Sequence, residues 1–274
     1  MSMSIRQKLA IASWSQPREG NIYGKLTLDA TEALAYIAWL RETSGEKVTI
    51  THLVGKACAE ALAAAPKLNG VIRLGRFQPR KSVDIAFLVA LEEGKNLAKA
   101  KVCDFDKKSV VDAARELRQL AVKLYSGKDD NFNKSMGPLK FLPTWLIRPL
   151  VNTIGYLSSV FGLSVPALGV EAYPFGSLII TNVGSFGLDE GFAPPTPFAH
   201  VPVYVLMGAL KKAPWVNEKD ELEVRPQITL CATIDHRYMD GAQGGVLAKT
   251  MRAVFANPWA LSGLDGPPET ASEE

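Results

Sequence analysis

From Ser82 to Leu91 the chain reads Ser-Val-Asp-Ile-Ala-Phe-Leu-Val-Ala-Leu, and no other run constrains its fold as tightly. Side chains of a strand point alternately to its two faces. Val83, Ile85, Phe87, Val89 and Leu91 therefore make one strongly apolar face, and Asp84, Ala86, Leu88 and Ala90 a second, mostly apolar one. Such a strand lies well inside a covered sheet. The rest of the chain must supply the cover, and 274 residues, 47% of them hydrophobic and 22% charged, suffice for a sizeable core.

The covering elements are legible on either side. Asp29-Ala-Thr-Glu32 reads as a capping box ahead of a helix carrying Leu34, Ile37 and Leu40, with Gly45 as its stop. A second helix is predicted from about Thr51, striped by Val54, Ala57, Cys58, Ala61 and Leu62 and ended by Pro66. Val71 to Gln78 reads as a short hairpin and Ala98 to Cys103 as a strand. Ser109 then caps a helix that runs to Gly127. Ser177 to Val183, Val203 to Leu210 and Gln227 to Ile234 read as strands, with a turn at Asn217 to Asp220. A last helix is expected over Gly244 to Ala256, stopped by Asn257-Pro258. Helices and strands interleave without a strict βαβ rhythm, which predicts one α/β domain over 1–264, a two-layer sandwich with a mixed sheet. The tail, 265–274, reads as disordered.

The formal charge is only +3, with cations scattered along the chain, so nucleic acid is not an expected partner. Cys58, Cys103 and Cys231 are odd in number and far apart, and three histidines are too few for a zinc cage; no metal is expected. Met1 to Ala12 lacks the apolar core of a signal peptide, which predicts a cytoplasmic protein. Residues 137–174 break the rhythm, since Pro149 to Val170 carries no charge. Three readings stay open: a packed helical hairpin, an amphipathic segment touching membrane or lipid through 138–170, and a lid over an apolar acyl pocket.

Three histidines keep the search for chemistry short. His52, at a helix start, suits capping or packing, and His200, in a Pro-rich loop, suits a structural role. His236 stands in Asp235-His-Arg-Tyr-Met-Asp-Gly241, directly after an apolar strand. Several ionisable groups there must pair or act. On pattern alone the site is either functional or a surface salt-bridge cluster.

Asp-His-Arg-x-x-Asp-Gly resembles the signature of the catalytic domain of dihydrolipoamide acyltransferases, the core component of 2-oxoacid dehydrogenase complexes, which shares its fold with chloramphenicol acetyltransferase. Leu178-Ile-Ile-Thr-Asn-Val-Gly184-Ser-Phe-Gly187 is similar to that family's Thr-Ile-Ser-Asn-Leu-Gly segment, and Pro66-Lys-Leu-Asn69 to its Pro-x-Leu-Asn element. Order and spacing agree from about Ile5 to Leu261. The resemblance implies an acyltransferase that works between a CoA or lipoyl thioester and a thiol or hydroxyl. His236 is its implied general base, Thr181 (a Ser in the family) its oxyanion donor and Asp240 the group that fixes the geometry. Asn182 and Gly184 would contact the CoA thioester. It also implies a homotrimer with each site between two subunits, supplied by acyl-CoA or an acyl-lipoyl group. The other readings are a non-catalytic trimeric scaffold, with the insertion contacting membrane or partners, and a transacylase served by a lipoyl domain on another chain.

The departures carry expectations too. The chain has no room for lipoyl and subunit-binding domains ahead of this one, and so no lipoyl attachment site is expected. Its acidic ending, Pro267 to Glu274, replaces the run of leucines that joins trimers into cages, so isolated trimers are expected. The basic signature near the N-terminus, Ile5 to Ser13, lacks its last Arg, which leaves the partner of Asp240 open.

Overall fold

A computed structural model of the chain describes residues 20–91, 96–137, 139, 142–217 and 219–268. In chain order the elements are β1 (Asn21–Asp29), α1 (Thr31–Ser44), α2 (Ile50–Ala64), β2 (Gly70–Arg73), β3 (Arg76–Pro79), β4 (Ile85–Leu91) and β5 (Asn96–Val102). They continue with α3 (Val110–Tyr125), α4 (Asp130–Met136), α5 (Thr144–Gly155), β6 (Leu178–Asn182), β7 (Val203–Met207), β8 (Lys211–Val216), β9 (Leu222–Asp235) and α6 (Gly241–Ala256). The expectations for Ile5 to Ser13 and for the end of the tail, 269–274, lie outside the described residues.

One seven-stranded sheet runs in the order β1-β9-β7-β6-β4-β5, with β8 also paired to β9. It is mixed as predicted: β4 with β6 and β6 with β7 are parallel, the other pairings antiparallel. Alternation sorts the side chains cleanly. Ile85, Phe87, Leu178, Ile180, Val203, Val205 and Met207 enter the large core beneath the helices. Ala86, Ile179 and Tyr204 point the other way, into a smaller cluster with Ala199 and Val201 of the Pro-rich loop. Both faces of β4, which starts at Ile85 rather than at the expected Ser82, are therefore covered, one by helices and one by loops.

The main core is dominated by α2, of which Leu53, Val54, Ala57, Ala59 and Leu62 are all buried. Gly55 in this helix meets the rings of Phe87 and Phe105, at 2.8 and 2.9 Å from where a Cβ would stand, so only glycine lets the helix settle this close to the sheet.

Three sequence expectations are corrected. Asp29 does not cap α1: it ends β1, where it accepts from Thr31 N and from Arg225, and Ala30 takes the cap position. Glu32, expected to close the box, accepts instead from Trp259 Nε1. The last helix starts at Gly241 rather than Gly244, because Asp240 caps it. β9 begins at Leu222, five residues before the expected strand, in a hairpin with β8. β1 and β8 were not foreseen. β8 is an exposed edge carrying Lys211, Lys212 and Pro214, the features that keep an edge strand from aggregating and that hide it from a propensity reading.

Among the described residues of 137–174 there is no sheet strand. The end of α4 and the start of the next segment form a small cluster of their own, in which Leu139 and Ile147 are buried with Met136, Leu142 and Val151 around them. Beyond α5 the helix widens into one π turn, Tyr156–Val160. Gly155 there abuts the Phe198 backbone, and a Cβ would stand 2.4 Å from its carbonyl oxygen. Among the described residues no helix is long and apolar enough to cross a membrane.

Candidate active site

His236 is placed by its neighbours in the turn after β9. Tyr238 and Met239 are both buried. The Tyr238 hydroxyl accepts from Ile72 N at 2.9 Å, which ties the turn to the β2–β3 hairpin. Asp235 N donates to Pro202 O and His236 N to Gly20 O. With its flanks held inside, the turn leaves the His236 side chain exposed.

The ring has a defined orientation. Nδ1 lies 2.7 Å from Met239 O, and a carbonyl can only accept, so Nδ1 carries the proton. In the neutral imidazole the lone pair is then on Nε2. Asp235 and Arg237 close on each other instead of on the imidazole: Arg237 Nε and Nη2 reach the Asp235 carboxylate at 2.6–3.0 Å. This fork-to-fork pair is the strong form of ion pair. It accounts for the charges around His236, and the ring hydrogen-bonds to a backbone carbonyl rather than joining a salt-bridge cluster.

Asp240 sits at the N-cap of α6. Its Oδ1 accepts from Ala242 N at 3.0 Å and Gln243 N at 3.3 Å, while Gln243 Oε1 accepts from Asp240 N at 2.8 Å. This reciprocal capping box fixes where the turn ends and the helix begins. Asp240 thus acts on the geometry of the His236 loop through the backbone.

Thr181 lies near the end of β6 and is half-buried. Alternation puts it on the face of Ile179, away from the helices, and turns Asn182 toward them. The Asn182 amide accordingly donates to Thr51 Oγ1 at 3.2 Å, at the start of α2. His52, one residue on, completes a capping box there: its Nδ1 accepts from Thr49 N at 2.9 Å. Burial, then the charge of Arg41, push this imidazole down to about 4, so it stays neutral. His52 is a structural histidine, as its position suggested. Gly184 is required by packing, since a Cβ would stand 2.5 Å from Gly208 O. The link from Asn182 to the α2 cap was missed in the sequence, although Thr49-Ile-Thr51-His carries its signal in the clustered hydroxyls.

Within one chain Thr181 and His236 are far apart. Thr181 pairs with Leu206, and Leu206 with Cys231, five positions before His236 on β9. At about 3.3 Å per residue and about 4.8 Å per strand, the two side chains are roughly 19 Å from each other. They occupy opposite ends of the central strands. No group of three or more His, Cys, Asp or Glu suited to a metal ion occurs among the described residues.

The class these features define is a mixed-sheet α/β domain that offers an oriented imidazole at one sheet end and a strand hydroxyl at the other. The model of the catalytic domain of the 2-oxoacid dehydrogenases acyltransferase family matches residues 13–131 and 167–262. The chain belongs to this family. The match leaves 132–166 without a counterpart in the family model, a stretch that overlaps 137–174.

A curated relative in Bacillus subtilis, the dihydrolipoyllysine-residue acetyltransferase component of the acetoin cleaving system, is 26% identical over 222 residues, covering 80% of this chain and 44% of the relative. The mitochondrial dihydrolipoyllysine-residue succinyltransferase component of the 2-oxoglutarate dehydrogenase complex of Saccharomyces cerevisiae is 25% identical over 217 residues, covering 78% of this chain and 37% of that protein. The chain thus spans less than half the length of these relatives. Among solved structures, a probable dihydrolipoamide acetyltransferase from Listeria monocytogenes shares the fold at a TM-score of 0.67 and 19% identity, covering 96% of this chain and 93% of that one. The truncated catalytic core of the 2-oxoacid dehydrogenase multienzyme complex from Thermoplasma acidophilum does so at 0.63 and 18%, covering 94% and 98%.

Proposed function

We propose that the chain transfers an acyl group from a CoA or lipoyl thioester to a thiol or hydroxyl acceptor, in sites shared between neighbouring copies of a homotrimer. The observation that carries this reading is the Nδ1–H bond from His236 to Met239 O, which leaves Nε2 as the acceptor of a proton. Nε2 removes the proton from the attacking thiol or hydroxyl as its sulfur or oxygen bonds to the thioester carbonyl carbon. The carbonyl oxygen takes the negative charge, and the Thr181 hydroxyl of the adjoining copy donates to it. Collapse of this intermediate breaks the C–S bond, and the imidazolium returns its proton to the leaving thiolate.

The roughly 19 Å between Thr181 and His236 in one chain favours sharing across copies, because neither residue can serve the other's reacting atoms alone. Asp240 keeps the His236 loop in place, and Asn182 and Gly184, which follow Thr181 in the chain, take the CoA thioester through the backbone of this strand end, since the Asn182 side chain is held by Thr51. The relatives are named for acetyl and succinyl transfer on lipoyl groups, which makes acyl-lipoamide the first alternative donor to acyl-CoA.

The test is thiol release from a set of acyl-CoA and acyl-lipoamide donors by the purified chain. Release that depends on His236 supports the reading. Release that His236→Ala leaves intact, or none with any donor, contradicts it.

A further inference from the structure

Helix α5 lies inside the stretch that the family model leaves unmatched. Its buried residues are Ile147 and Gly155. Trp145, Leu146, Pro149, Thr153, Tyr156 and Leu157 are all exposed. Steps of three and four residues connect them, so they form one continuous outward stripe along the helix and its π turn. Trp145 is 75% exposed, an extreme value for the largest apolar side chain. A stripe of this kind is a contact surface rather than the scatter of single exposed hydrophobics that every protein carries.

Charge says what the stripe contacts. From Asn131 to Val170 the chain holds three cations, Lys134, Lys140 and Arg148, and no acid. Arg148 is exposed on α5 itself. Of the acids that border the stretch, Asp129 caps α4, Glu171 pairs with Lys99 and Lys101, and Asp130 is exposed in the first turn of α4, at the opposite end of that helix from Met136, which packs beside Ile147. A largely apolar stripe with aromatic residues near its two ends, on a helix whose one charge is the exposed Arg148, is the pattern of a helix that lies in the plane of a bilayer surface. We propose that α5 docks in-plane on an anionic lipid surface, with Trp145, Leu146 and Leu157 entering the acyl boundary and Arg148 meeting lipid phosphate. This contact is independent of the acyl-transfer chemistry.

The test is co-sedimentation of the full chain with vesicles of phosphatidylcholine plus phosphatidylglycerol, beside pure phosphatidylcholine vesicles. The expected result is binding to the mixed vesicles alone, weakened by added salt. Trp145→Ser should lower the partition about tenfold, and Arg148→Glu should abolish the preference for the anionic lipid, while thiol release in solution stays unchanged. The proposal is overturned by equal or absent binding to the two vesicle types, or by variants that bind as the parent chain does. A change in the mass of the assembly with Trp145→Ser or Leu157→Ser also overturns it, because a second copy then covers the stripe.

Discussion

At the His236 end of the sheet, position is set by a single turn: Tyr238 and Met239 anchor it inside, Asp240 caps the helix that follows, and the imidazole bonds to a carbonyl three residues on. At the Thr181 end, position is set by a strand and a distant helix: β6 carries the hydroxyl, and Asn182 reaches across to Thr51 at the start of α2. The first end is local in sequence and the second is tertiary. Each is a finished piece of construction, yet each holds only half of what the proposed acyl transfer needs.

The two ends should respond differently to substitution. His236→Ala removes the proposed base and should lower thiol release by about 10³ or more. Thr181→Ala removes the proposed oxyanion donor and should cost about 10² to 10³ in kcat, whereas Thr181→Ser keeps the hydroxyl and most of the rate. Steady-state kinetics of the three variants tells the ends apart, because the shortened hydroxyl is tolerated and no substitute for the imidazole is.

Smaller effects probe the supports. His52, which caps α2 beside Asn182, has a folded pKa of about 4, against about 6.5 for a histidine in the unfolded chain. Between these values only the unfolded chain takes up the proton, so stability is full above the window and falls as the solution is acidified. The loss between about pH 7 and about pH 5 is about 2 kcal/mol. Urea denaturation at the two pH values measures it. His52→Gln, which keeps an acceptor for the capping box, should flatten the dependence. At the other end Asp240→Ala should cost about 1 kcal/mol of stability through the lost cap. It should lower kcat more than it raises KM, as a displaced imidazole would. Asp240→Asn keeps the capping oxygen and should recover most of both.

What the sequence disclosed follows the same division. The Ser82–Leu91 alternation, the Ser109 cap and the stops at Gly45 and Pro66 act over a few residues, and the chain obeys them. Asp29 was misread because its partner Arg225 arrives from β9, nearly two hundred residues away, and draws the carboxylate into the sheet. β8 carries proline and lysine and is a strand only because β9 is there to pair with it. The last helix is expected from Gly244, and one capping carboxylate, that of Asp240, moves its start to Gly241. The residues of the site were legible as motifs, but the distance between them was not, since it depends on the register of three strands.

The central claim is that one chain's imidazole works with another chain's hydroxyl, and subunit mixing tests it most directly. His236→Ala and Thr181→Ala chains, each nearly inactive, are unfolded together, refolded and assayed beside each refolded alone. A site shared between copies predicts that the mixture regains activity, up to about a quarter of the parent rate, because one kind of mixed interface pairs an intact imidazole with an intact hydroxyl. A mixture no more active than its components, with mixed assemblies verified by mass, would contradict the account.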